Sequence, residues 1–195
     1  MTAVDSGIGN RGEDALNIVR SAFSLREVSV MDAFSDGFDA DFSKGEIRGG
    51  SFLRVGLAGG GDGFDVSGGN VVIDGTFFQD IGDKAISVGE GSSVIATRLN
   101  IERVGTGAAS KDSSTLDISD SAIRSARTAA LLAYVKKPEY GPGSIVAARI
   151  ASDELSEMAR VQMGSSIVLD GQSVEPEDLD VDALYQTSMK RRAKQ

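Results

Sequence analysis

The sequence predicts an all-β fold: a right-handed single-stranded parallel β-helix of about seven coils, three strands per coil, with a short C-terminal helical tail. Three observations point to it. A short phrase, a small residue followed by an alternating strand, recurs at Ala15, Gly37, Gly63, Ala85, Gly107 and Ala129, with spacings of 22, 26, 22, 22 and 22 residues. Apolar columns keep nearly the same step: Leu25, Ile47, Val71, Val94, Leu116; Val30, Phe52, Phe78, Ile101, Ile123; and Ala33, Val55, Ile81, Val104, Ala126. Glycine is frequent, 24 of 195 residues, beside only 3 prolines, so the chain makes many positive-φ turns without the proline-rich composition of disordered segments.

Each element follows from that period. Residues 1–11 form a lead-in, 12–171 the β-helix and 172–195 a tail. The phrases DALNIV, DGFDAD, DGFDVS and DKAISV alternate, so Leu16, Phe38, Phe64 and Ile86 point inward while Asn17, Asp39, Asp65 and Ser87 point outward. Two departures from the period read as loops: the glycine cluster at 58–61 and KKPEYGPG at 136–143. Past the second loop the step from Ile145 to Ile167 is 22 again, and IVLDG at 167–171 echoes VVIDG at 71–75, which makes the seventh coil. Beyond it, Pro176 comes early, acidic residues lead and Lys190, Arg191, Arg192 and Lys194 close the chain, the charge order that a helix dipole favours. A leucine-rich repeat shares the period, but its LxxLxLxxN signature is missing, and helical repeats need longer periods. The right hand follows from the general rule for parallel crossovers.

Composition excludes several functions. A formal charge of −9 argues against nucleic acid as partner. Neither cysteine nor histidine occurs, which removes thiol nucleophiles, disulfides, imidazole catalysis and the usual zinc sites. MTAVDSGIGNRGED carries no signal peptide and no apolar run approaches a spanning length, so no membrane insertion is expected. The chain as given reads as cytoplasmic; as part of a longer protein it would belong to the cell surface or envelope.

The phrases resemble the right-handed parallel β-helix repeats of the pectin-lyase-like superfamily over residues 12–171. DGFDVSG, GDKAISVGE, ASKDSS and the KKPEYG loop look like a β-helix module attached to larger bacterial surface or envelope proteins. That superfamily holds polysaccharide lyases, hydrolases, epimerases and plain adhesive or structural helices, so the resemblance implies a carbohydrate-related role without choosing a reaction.

Candidate site residues lie on the outward face of the phrase strands. Asp39 and Asp41, two apart on one strand, share a side, and Asp39 stacks on Asp65. Three carboxylates there could hold Ca²⁺, which takes oxygen ligands, and pectate-lyase-like enzymes hold calcium on such a face. The plain alternative is a solvated acidic ladder. Lys111 lies two coils on, beside Glu90 and Asp112, with Tyr134 in the next coil; without histidine it is the candidate base for a lyase or epimerase acting on uronate-containing glycans. Neighbouring carboxylates would instead hold that lysine protonated in an ordinary ion pair. Lys136, Lys137 and Tyr140 could bind a sugar or a protein by charge and stacking. GGDGFD at 60–65 matches the start of a calcium-binding nonapeptide in a single copy and reads as a turn; Asp14, Asp36, Asp62 and Asp83 read as turn caps. The leading functional expectation is a non-catalytic module that binds a polysaccharide or surface protein. A calcium-dependent lyase or epimerase is the competing one, and assembly through helix ends or strand edges a third.

Overall fold

The computed structural model describes residues 2–4 and 14–187. It is a parallel β-solenoid of about seven turns with one short helix, α1 (Val181–Thr187), near its C-terminus. Lys190, Arg191, Arg192 and Lys194 lie outside the described residues. Among the described residues the coils pair in parallel, and the one antiparallel pairing is the hairpin of Ser166–Leu169 with Gln172–Ser173.

Three faces run the length of the solenoid. The first carries the phrase strands Asn17–Val19, Phe38–Asp41 and Phe64–Ser67, then the ends of the long strands Phe77–Gly89, Asn100–Lys111 and Thr115–Tyr134, and last Ala159–Val161. We number the coils one to seven by these strands. The second face stacks Ala22–Arg26, Lys44–Arg48, Asn70–Asp74 and Ser93–Thr97 under the later coils. The third face begins with Thr2–Val4 on Ser29–Met31 and continues through Ser51–Val55.

Register follows from burial: a shift of one residue would turn every apolar side chain outward. Phe38, Phe64 and Ile86 stack in one fully buried row, and Phe52 lies flat on Phe78 with centroids 5.0 Å apart. The column of Val30, Phe52, Phe78, Ile101 and Ile123 stacks as its spacing predicts. The column begun at Leu25 does not. Ile47 stacks on Ile73, and Val71 belongs to the neighbouring inward row over Gly45. Both rows point inward, so spacing alone could not separate them.

Small residues in the phrase have a steric cause. A Cβ on Gly63 would lie 2.7 Å from the carbonyl oxygen of Ala85 and 2.8 Å from the Phe78 ring, so the wall can close only over glycine. The glycine cluster is a turn, with Gly56 O accepting from the N–H groups of Gly59, Gly60 and Gly61. At one corner of the coil Asp32, Arg54, Asp80 and Arg103 each take a left-handed conformation, φ 54–58°. That backbone is unfavourable for side-chain-bearing residues, and here cross-coil ion pairs, Asp32 with Arg54 at 2.5 Å and Asp80 with Arg103 at 2.8 Å, accompany it.

Candidate functional site

The outward row of the first face is where the sequence-predicted residues gather. Asn17, Asp39, Asp65, Ser87, Ala109, Leu132 and Arg160 are stacked partners through seven coils. Two residues along, Val19, Asp41 and Ser67 form a second row, which resumes with Lys111 on Tyr134. The strip therefore changes character along its length. Coils one to three present an open acidic shelf, whereas coils four to seven are roofed by the C-terminal segment.

A third row runs beside these at the strand entries. Asp14 Oδ1 accepts the N–H of Asp36 at 3.2 Å, Asp36 Oδ1 that of Asp62 at 2.7 Å, and Asp62 Oδ1 that of Lys84 at 2.9 Å. Each aspartate thus caps the next coil, the role expected of Asp14, Asp36 and Asp62 as turn residues. Asp83 serves differently: its carboxylate takes the Lys84 ammonium at 2.6 Å.

Stacking like charges has an electrostatic consequence. Burial first, then the Asp62 charge, pushes Asp36 up to about 7; burial, then Asp41 and Asp65, pushes Asp39 up to about 7 as well. Asp41 is raised by burial and by Asp65. Asp65 goes the other way. Burial alone would raise it, but the Lys111 and Lys84 ammonium groups hold it below the usual carboxylate range. Asp39 and Asp65 are therefore neighbours in space with opposite protonation tendencies.

Beneath the roof lies a buried ion-pair cluster. Lys84 is 1% exposed and paired with both Asp62, at 3.2 Å, and Asp83. Lys111 donates to Ser87 Oγ at 2.5 Å and pairs with Asp65 Oδ1 at 3.5 Å. Burial would lower both amines, yet Asp62 and Asp83 raise Lys84 and Asp65 raises Lys111. Both lysines are kept as ammonium ions, the opposite of what proton abstraction asks of a base. Tyr134, pushed up by burial, has its hydroxyl 2.6 Å from that of Tyr185.

The remaining expected residues hold the KKPEYG loop to the wall. Asp112 Oδ1 accepts the N–H groups of Lys136 and Lys137 at 2.7 and 2.8 Å, and the Lys137 ammonium pairs with Glu90. Tyr140 is half-buried, its N–H donating to Lys137 O. The Lys136 ammonium sits 5.0 Å from the centre of the Tyr185 ring and that of Lys84 5.6 Å. Glu90, Lys111, Asp112, Tyr134, Lys136 and Lys137 do form one neighbourhood around coils four to six. Asp39 and Asp65 adjoin it, with Asp41 beyond them. Among the described residues no group of three or more carboxylates is arranged to hold a metal ion.

Sequence reasoning placed Ser87 on the outward row without a role, and missed Lys84 and Tyr185. One signal marked Lys84: the phrase DKAISV has an extra residue between its aspartate and its small residue, which the chain accommodates by a register shift between Ile81 and Lys84. Tyr185 reaches the cluster from 51 residues beyond Tyr134, and no periodicity announces such a contact.

Comparison with protein-family models, with characterised proteins and with solved structures finds no match for this chain. Among the described residues no helix is long and apolar enough to cross a membrane.

Proposed function

We propose that the chain is a non-catalytic β-solenoid module that binds a carbohydrate or protein partner along the outward strip of its first face. The observation that carries this reading is the state of the strip's lysines. Lys84 and Lys111 are each buried against carboxylates that favour the charged amine, and the strip offers no imidazole or thiol to replace them. What the open coils do offer is a shelf of hydrogen-bonding groups at regular spacing: Asn17, Asp39, Asp65 and Asp41, with Ser67 beside them. Successive positions there recur about every 4.8 Å, suited to an extended ligand.

A glycan array probed in parallel with a panel of uronate-polymer cleavage assays tests the proposal. Binding without turnover is expected. Measurable turnover of any uronate polymer, lost on Lys111→Met, would replace this reading with that of a lyase or epimerase.

A further inference from the structure

We infer that the C-terminal segment, residues 176–187, is a displaceable strap that closes the second half of the binding strip, so that the module regulates its own groove. The inference rests on the interaction reading above and adds regulation to it. Four features of the segment support it.

First, its path follows the strip. Glu177 adds to the edge of coil seven, its N–H donating to Val161 O at 2.7 Å and its carbonyl accepting from Met163 at 3.0 Å. Leu179 then joins Ala109, Leu132 and Tyr134 in an apolar cluster separate from the solenoid core, on coils five and six. Tyr185 ends over Lys84 in coil four. The segment thus runs along the strip from coil seven to coil four, with Tyr185 beside the open shelf.

Second, it covers a surface of mixed chemistry. Main-chain pairing continues without a break from Asp65 to Ser87 to Ala109 to Leu132, so shelf and roofed half are one groove. Under the roof, ammonium donors at Lys84 and Lys111, carboxylate acceptors and the Tyr134 ring stand on the outside of the wall. Those groups are set to hydrogen-bond a ligand, and Tyr185 now takes a ligand's place, with its hydroxyl on Tyr134 and its ring near two ammonium groups.

Third, the hold lies outside the solenoid core. Over its described residues, Val181–Thr187, helix α1 has no fully buried side chain; Val181, Leu184 and Tyr185 are half-buried. What holds it is a cap, Asp180 Oδ1 accepting the Ala183 N–H at 2.8 Å, the apolar contacts of Leu179, Val181, Leu184 and Tyr185 with the small cluster on coils five and six, and, upstream, the Arg160 guanidinium on the Glu177 carboxylate at 2.7 Å.

Fourth, the closed state shortens the groove. Three open coils span about 14 Å at about 4.8 Å per coil. A longer extended ligand meets Tyr185 and must displace it. If the strap is open about a tenth of the time, removing it tightens binding about tenfold.

The test compares the full chain, a chain ending at Glu175, and a full-length Leu179→Asp/Tyr185→Ser double variant that guards against a truncation that fails to fold. Two readouts are taken: acetylation of Lys84 and Lys111 by acetic anhydride, followed by peptide mass spectrometry with exposed Lys44 as internal reference, and binding to a glycan array. The expected result is a rise of about tenfold in Lys84 and Lys111 labelling relative to Lys44 in both altered chains, with tighter binding of long array glycans. Unchanged lysine protection in both altered chains overturns the strap. A glycan longer than the open shelf that binds all three chains equally also overturns it, while leaving the interaction reading standing. Lysines unmasked with no glycan bound by any chain removes the carbohydrate reading and keeps the strap.

Discussion

Among single side chains, the aspartate ladder makes the clearest commitments. Asp36 caps Asp62 through Oδ1 and is pushed up to about 7, above its ordinary 3.8. The native chain therefore binds a proton at Asp36 that the unfolded chain releases between about pH 4 and pH 7. Stability from this group is complete below the lower value, falls as pH rises through the window and levels off above it. Asp36→Asn keeps the acceptor and removes the charge. We expect it to stabilise the chain at pH 8 by more than about 1 kcal/mol and to do little at pH 4, measured by urea unfolding at both; equal effects at the two pH values would refute the assignment. Lys84 gives the converse case. Lys84→Met leaves Asp62 and Asp83 facing one another out of water, and the loss expected is about 3–5 kcal/mol. Adding Asp83→Asn should recover part of that loss, a coupling that a double-mutant cycle reads directly. The caps were legible because aspartate before a small residue has a local meaning. Lys84 was not, because its partners come from the preceding coil and from Asp83 beside it, and a charge in a repeat reads as solvated until the fold shows it roofed.

Strands were legible where one row of side chains has one possible neighbour. Val30, Phe52 and Phe78 stack as spacing predicted, and so does the face's other inward row, Val55, Ile81 and Val104, which lies three residues along. On the second face two inward rows lie two residues apart, and the insertion at 58–61 shifts the step between Ile47 and Ile73 to 26, so sequence spacing slipped from one row to the other. The small phrase residues are a stricter constraint than hydrophobicity suggests. Gly63→Val would drive side-chain atoms into the Ala85 carbonyl and the Phe78 ring, contacts already under 3 Å for a Cβ alone. The expected destabilisation is about 1–3 kcal/mol, read from the urea midpoint at constant slope; no change would mean that the wall is looser than its glycines imply. Helix α1 was anticipated from Pro176 and the charge order of the tail. Where it docks was not, because Leu179 and Tyr185 meet residues far away in sequence that carry no matching pattern.

For the whole molecule, a solenoid is close to one-dimensional: each coil touches only its neighbours, and stability is nearly a sum over coils and interfaces. This explains why the fold was readable from one period while the site was not. The repeat dictates what faces inward, coil after coil, whereas the outward strip is free to vary and does vary, from Asp39 and Asp65 through Ser87 to Ala109 and Leu132. The same property makes the architecture separable from the site by experiment. Deleting residues 86–107 removes one period of 22 and joins Ala85 to Ala108, so that Phe64 stacks beneath Ala108 and Phe78 beneath Ile123, inward on inward. The shortened chain should unfold in one transition with a urea slope lower by about one seventh, since the slope follows the surface exposed. Far-ultraviolet circular dichroism per residue should be unchanged. Lys111 loses its Ser87 partner and Lys137 its Glu90 partner in the same deletion, so protection of Lys111 from acetylation should fall even though the coils remain stacked. A chain that aggregates, or that keeps the full urea slope, would show that coil four is needed for the stack itself; a folded chain with unmasked Lys111 would place the cluster on the solenoid rather than in its core.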